Sequence, residues 1–169
     1  ETALSILVQA VESGVNFFDT ADVYGAGRSE DLIGRFLKEC PTSVTVATKF
    51  GRSGEVYPDN YSLDAMRRAV DAASQRLGVE GLDLLQLHCV PIEVLRQGEI
   101  FDWLRQLKDE GLIKQFGASV ETVEEGLLCM EQEGLLSLQV IFNIFRQKLV
   151  SELLPQARSR GVGIIVRLP

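Results

Sequence analysis

Short apolar stretches of strand type alternate with amphipathic helical stretches along this whole chain, and that alternation constrains the fold more than any other feature. Leu4, Leu7, Val8 and Val11 fall at i, i+3, i+4 and i+7, one face of a helix, and Gly14 is a fitting stop. Residues 15–19 (VNFFD) then read as a short buried strand. After a loop carrying Tyr24, Gly25 and Gly27, Ser29 is placed to cap a helix, with Glu30 and Asp31 in its first turn, where the dipole favours acids. Leu32, Ile33, Phe36 and Leu37 continue that helical face. The β-branched run 43–50 is a second strand. Ser62 caps the next helix, with Leu63, Met66, Val70, Ala73 and Leu77 on one face and Gly78 near the stop. Residues 82–88 (LDLLQLH) form a third strand, and Ile100, Trp103, Leu104 and Leu107 form a helical stripe ending at Gly111. A strand at 113–119, a helix at about 121–133, a strand at 138–143, a helix around 149–160 with Pro155 near its first turn, and a strand at 162–168 complete the series. The longest polar interruption, at about 51–61, carries Gly51, Gly54 and Pro58 and reads as an exposed loop.

Six strands alternating with helices imply a parallel sheet, because parallel strands need crossovers and both faces of such a sheet must be covered. Two architectures satisfy this, a doubly wound open sheet and a (β/α)8 barrel. At 169 residues there is material for one substantial core, so residues 1–169 are expected to form a single domain. The net charge of -7, without a Lys/Arg cluster, argues against a nucleic-acid partner. No apolar run reaches the roughly 18 residues of a membrane span. Cys40, Cys89 and Cys129 are an odd number without a C-x-x-C pair, which points to a reducing, cytoplasmic setting. His88 is the only histidine, so neither a His-rich metal site nor a zinc site is expected.

Both architectures place function at the carboxyl ends of the strands. There the sequence has Asp19, Lys49, His88, Ser119 and Asn143 in turn, with Tyr24 just after the first. Gly25-x-Gly27 begins a dinucleotide-binding fingerprint, but Glu30 stands where the third glycine belongs, so that reading fails. The four groups Asp19, Tyr24, Lys49 and His88 make chemical sense together. A phenol is a poor proton donor at neutral pH, and a nearby ammonium makes it a better one. A carboxylate would hold that ammonium in place, and an imidazole could hydrogen-bond a carbonyl oxygen and orient it. This suits protonation of an oxygen that becomes an alkoxide, the need of hydride delivery to a carbonyl. Singly, each has a plainer reading: a structural histidine, a solvated strand-end lysine, an aspartate capping a turn. Trp103 reads as core, and Cys89 as a small buried residue rather than a nucleophile, since no second histidine exists to activate it.

At these same residues the sequence resembles the aldo-keto reductase family. The segments carrying the resemblance are 14–21 (GVNFFDTA), 23–25 (VYG), 27–30 (GRSE), 47–51 (ATKFG), 83–88 (DLLQLH) and 111–117 (GLIKQFG). The resemblance implies a (β/α)8 TIM barrel, NAD(P)H-dependent reduction of aldehyde or ketone carbonyls, and a catalytic tetrad on Asp19, Tyr24, Lys49 and His88. Tyr24 would be the proton donor, Lys49 and Asp19 would tune it, and His88 would orient a small-molecule carbonyl substrate. NADPH is the cofactor the resemblance favours, with NADH also compatible. Ser119 and Gln139 match the residues that bind the nicotinamide amide, Val120 replaces the asparagine usual after such a serine, and Arg167 stands where many members stack an aromatic ring. The strands would be the second to the seventh of the barrel, so the chain is expected to be an incomplete barrel of about six βα units. A competing expectation is a redox-sensing or regulatory nicotinamide-binding subunit without significant turnover. The sequence carries no signal of oligomeric state.

Overall fold

The computed structural model describes residues 2–39 and 43–169. Cys40, one of the three cysteines weighed above, lies outside the described residues. The elements run α1 (Thr2–Glu12), β1 (Phe17–Asp19), α2 (Arg28–Leu37), β2 (Thr45–Phe50), α3 (Leu63–Leu77), β3 (Leu82–His88), α4 (Ile92–Gln97), α5 (Glu99–Asp109), β4 (Ile113–Ser119), α6 (Val123–Met130), β5 (Leu135–Ile141), α7 (Leu153–Arg160) and β6 (Gly163–Arg167). A 3₁₀ turn, Lys148–Val150, precedes α7.

The six strands pair in sequence order, β1-β2-β3-β4-β5-β6, and every pair is parallel. That order decides between the two architectures. A doubly wound sheet reverses its strand order at a switch point. This sheet never reverses, so it is wound in one direction with helices on one side, as a partial (β/α)8 barrel. Strand parity sets the two faces. Phe18 and Thr48 face the helices, since Phe18 stacks edge-on against Phe36 of α2 and the Thr48 hydroxyl donates to Glu30 of the same helix. Asp19 and Lys49, one residue on, face the other way, into the barrel.

The same parity sorts the apolar residues of the strands. In register Val46 lies opposite Phe18 and Leu85 opposite Thr48, so both point to the helix layer, where they are buried. Val166 shares the parity of Val140 but is exposed. Three local expectations also change. Ser29 is not the cap of α2: the helix begins at Arg28 with Gly27 as N-cap, and Ser29 instead accepts a hydrogen bond from the Thr20 hydroxyl at 2.7 Å. The loop between β2 and α3 is not wholly exposed, since Val56 is buried and the Tyr61 hydroxyl donates to the Gly51 carbonyl at 2.9 Å. Asn143 lies beyond β5, where its Oδ1 accepts from the Phe145 and Arg146 amides and makes a tight turn. Among the described residues no helix is long and apolar enough to cross a membrane.

Candidate active site

Lys49, the penultimate residue of β2, is 2% exposed. A charged amine so far from water needs close partners. Its Nζ donates to Asp19 Oδ2 at 2.8 Å and to the Thr20 carbonyl at 2.6 Å. Adjacent parallel strands place these groups side by side, since Asp19 ends β1 and pairs with Ala47 of β2. The same Nζ lies 5.0 Å from the centre of the Tyr24 ring, within cation–π range. The Tyr24 ring in turn meets the His88 ring edge-on, with centroids 6.0 Å apart and planes at 88°. The structure thus brings Asp19, Tyr24, Lys49 and His88 into one cluster at the carboxyl ends of β1, β2 and β3.

The loop holding Tyr24 is built by backbone geometry. Gly25, Ala26 and Gly27 all adopt positive φ, at 60°, 54° and 88°. A Cβ on Gly27 would also come within 2.9 Å of the Arg76 side chain. The two glycines of the incomplete fingerprint therefore serve this turn and the start of α2. Behind the cluster, Glu30 is fully buried, accepts from the Thr48 hydroxyl and pairs with Arg76 Nε at 2.6 Å. The sequence reads Glu30 as a first-turn acid favoured by the helix dipole. Its larger role is to tie α2 to β2 and α3 directly behind Lys49.

His88 is held neutral. Burial first, then the nearby charge of Lys49, Arg52 and Arg167, pushes its pKa down to about 4. A neutral imidazole keeps one N–H to donate. Gln86, two residues earlier on β3, donates from Nε2 to Asp19 Oδ1 at 3.0 Å. The sequence reads Gln86 only as a strand residue. The signal that could have found it is parity: residues 86 and 88 share a face, and an amide among leucines on that face needs a partner.

The expected cofactor residues gather on the other half of the sheet. Ser119 and Gln139 are register partners at the ends of β4 and β5, and both are buried. Arg167 ends β6, with Nη2 3.5 Å from Cys89 Sγ, and its buried Nε has no protein partner among the described residues. Cys89 follows His88 at φ 47°, and its Sγ lies 3.8 Å from Ser119 Oγ. Burial raises the Cys89 thiol above its ordinary pKa, which keeps it protonated and unreactive. Val120 is buried, and its amide extends the ladder to the Gln139 carbonyl at 2.9 Å.

Six parallel strands wound in order, with this cluster at their carboxyl ends, agree with a sequence profile described as "Aldo/keto reductase family", which matches residues 1–169. The chain belongs to the aldo/keto reductase family. It is 29% identical to the NADH-specific methylglyoxal reductase of Escherichia coli (strain K12), over 100% of this chain and 55% of that protein. It is also 29% identical to the L-galactose dehydrogenase of Arabidopsis thaliana, over 100% of this chain and 55% of that one. The structure of the glycerol dehydrogenase AKR11B4 from Gluconobacter oxydans superposes with a TM-score of 0.84 at 29% identity, covering 96% of this chain and 52% of that one. The chain spans about half the length of the relatives it matches.

Proposed function

We propose that this chain carries the proton-donating half of an NAD(P)H-dependent carbonyl reductase, which converts aldehydes or ketones to alcohols with Tyr24 as the proton donor. The observation that carries the reading is Lys49, a nearly inaccessible ammonium locked by Asp19 and packed 5.0 Å from the Tyr24 ring. A strand-end lysine with no chemical task would extend into water. Here the cation sits beside an aromatic ring that carries a hydroxyl, where a positive charge can stabilise the phenolate once its proton has been given up.

His88, neutral above about pH 4, donates its N–H to the substrate carbonyl oxygen and orients it. Tyr24 gives its proton to that oxygen as negative charge develops. Lys49 stabilises the phenolate left behind, and Asp19 holds Lys49 in place. The residues fit the nicotinamide end of the cofactor, because a hydroxyl and a primary amide at adjacent strand ends both donate and accept, as a carboxamide does. Ser119 and Gln139 would hold that carboxamide, with Arg167 on the neighbouring strand. When bound, the cofactor supplies a hydride to the carbonyl carbon. NADPH is the form the family resemblance favours, and the NADH-specific relative supports keeping NADH beside it. Methylglyoxal and L-galactose in the relatives' names are dissimilar, so the substrate is assigned only as a small carbonyl compound. The free thiols of Cys89 and Cys129 suit a reducing cytoplasm.

The test is an assay of the complete protein with NADPH and NADH against a panel of aldehydes and ketones. Cofactor oxidation matched by alcohol formation is expected. Cofactor binding without turnover across the panel would contradict the reading and favour a regulatory subunit.

A further inference from the structure

We infer that Gln86 is a positioning residue for carbonyl reduction, acting through Asp19, and that its amide N–H is the group that matters. The inference rests on the tetrad reading above and extends it.

Three observations carry it. Gln86 is fully buried on β3, register partner of Lys49 on one side and of Gly117 on the other. Its Nε2 lies 3.0 Å from Asp19 Oδ1, while Lys49 Nζ occupies Oδ2 of the same carboxylate. Its own Oε1 is buried and has no protein partner among the described residues.

The first two fix the chemistry. An ionised carboxylate only accepts, so the end of Gln86 facing Asp19 must be the NH₂. Lysine alone constrains one oxygen and leaves the carboxylate free to rotate about its Cβ–Cγ bond. A second donor on the other oxygen stops that rotation. Asp19 then presents Oδ2 to the ammonium in one orientation, and the ammonium keeps one position beside the Tyr24 ring. The third observation argues against a packing role. Leucine would fill nearly the same volume without burying an unpartnered carbonyl, and Leu84, Leu85 and Leu87 all surround this position in sequence. An amide where leucine would pack is accounted for by the hydrogen bond its Nε2 gives Asp19.

The chemistry also tells what glutamate would do here. A protonated glutamic acid has the shape of glutamine and can donate to Asp19. An ionised glutamate cannot donate and repels the neighbouring carboxylate.

The experiment uses the complete protein and measures kcat and KM from about pH 5 to about pH 8, a range that spans the ionisation of a carboxyl raised by burial and a like charge. Gln86→Leu is expected to lower kcat roughly tenfold, with the KM for cofactor unchanged and no loss of thermal stability, as for a misaligned catalytic group. Gln86→Glu is expected to approach the parent at the acid end and to fall away as pH rises, a new ionisation absent from the parent profile. Gln86→Leu at the parent's kcat, or Gln86→Glu parallel to the parent at every pH, would overturn the inference. If Gln86→Leu does not fold, the Gln86→Glu profile decides alone. Tyr24→Phe in the same assay separates the two levels. Loss of activity there, beside an unaffected Gln86→Leu, removes the role of Gln86 only. Full activity of Tyr24→Phe removes the site reading and the role of Gln86 with it.

Discussion

Lys49 and His88 carry opposite electrostatic burdens within one cluster. Lys49 stays buried because Asp19 and the Thr20 carbonyl hold its charge, whereas the same positive neighbourhood, added to burial, keeps His88 neutral. Lys49→Met removes the cation beside the phenol. It is expected to lower kcat about 10²-fold, within the usual range for a disabled acid catalyst. Fluorescence titration should find cofactor affinity unchanged, and a kcat at the parent's level would reduce Lys49 to a structural ion pair. His88 makes stability depend on pH. In the unfolded chain it binds a proton near pH 6.5, in the folded chain only near pH 4. Between those values the unfolded state holds more protons, so His88 lowers stability as pH falls from 6.5 to 4 and has no such effect above that window. Urea unfolding across the window should give a shallower pH slope for His88→Gln than for the parent, and equal slopes would count against it. At this scale the sequence disclosed the residues whose type and strand-end position both speak of chemistry. It hid Gln86 and the true partners of Glu30, because a buried polar group is defined by what tertiary register sets opposite it.

Among the elements, β3, β4 and α3 start and stop where pattern and caps place them. Ser62 accepts from the Ala65 amide, and Gly78 closes the helix at φ 70°. The apolar pattern does not signal α4, because it is one short run between Pro91 and Gly98. β5 begins at Leu135 rather than 138 because Leu135 pairs with Phe116 of β4, a choice made across the sheet and not along the chain. For α6 the capping box of Thr122 and Glu125 fixes the start two residues later than the apolar pattern implies. The packing of α2 on α3 offers a sharp test. A Cβ on Gly34 would sit 2.1 Å from the Arg76 carbonyl oxygen. Alanine improves helix propensity by about 1 kcal/mol over glycine. Overpacking against a rigid backbone costs about 1–3 kcal/mol or more and should win. Gly34→Ala is therefore expected to lower stability in chemical denaturation, and a stabilised variant would mean that the two helices separate freely.

For the whole molecule, alternation along the chain predicts a parallel sheet with helices, but not its winding. Strand order fixes the winding, and in the sequence only the family resemblance implies it. Among the described residues the sheet ends at β1 and β6, and near the second lie Ile144, Phe145, Val166 and Leu168, all exposed, with Phe145 at 88%. Unpaired edges beside apolar surface favour association. These 169 residues, expressed as such, are expected to self-associate through that surface. Size-exclusion chromatography checks this, and a monodisperse monomer would refute it. The proposed role of Tyr24 is to protonate the substrate oxygen from beside a buried lysine. It is tested most directly in the complete protein, by steady-state carbonyl reduction and cofactor titration of the parent and Tyr24→Phe side by side. The expected result is a kcat lower by about 10²–10⁴-fold with cofactor affinity nearly unchanged. Reduction within a few fold of the parent would contradict it.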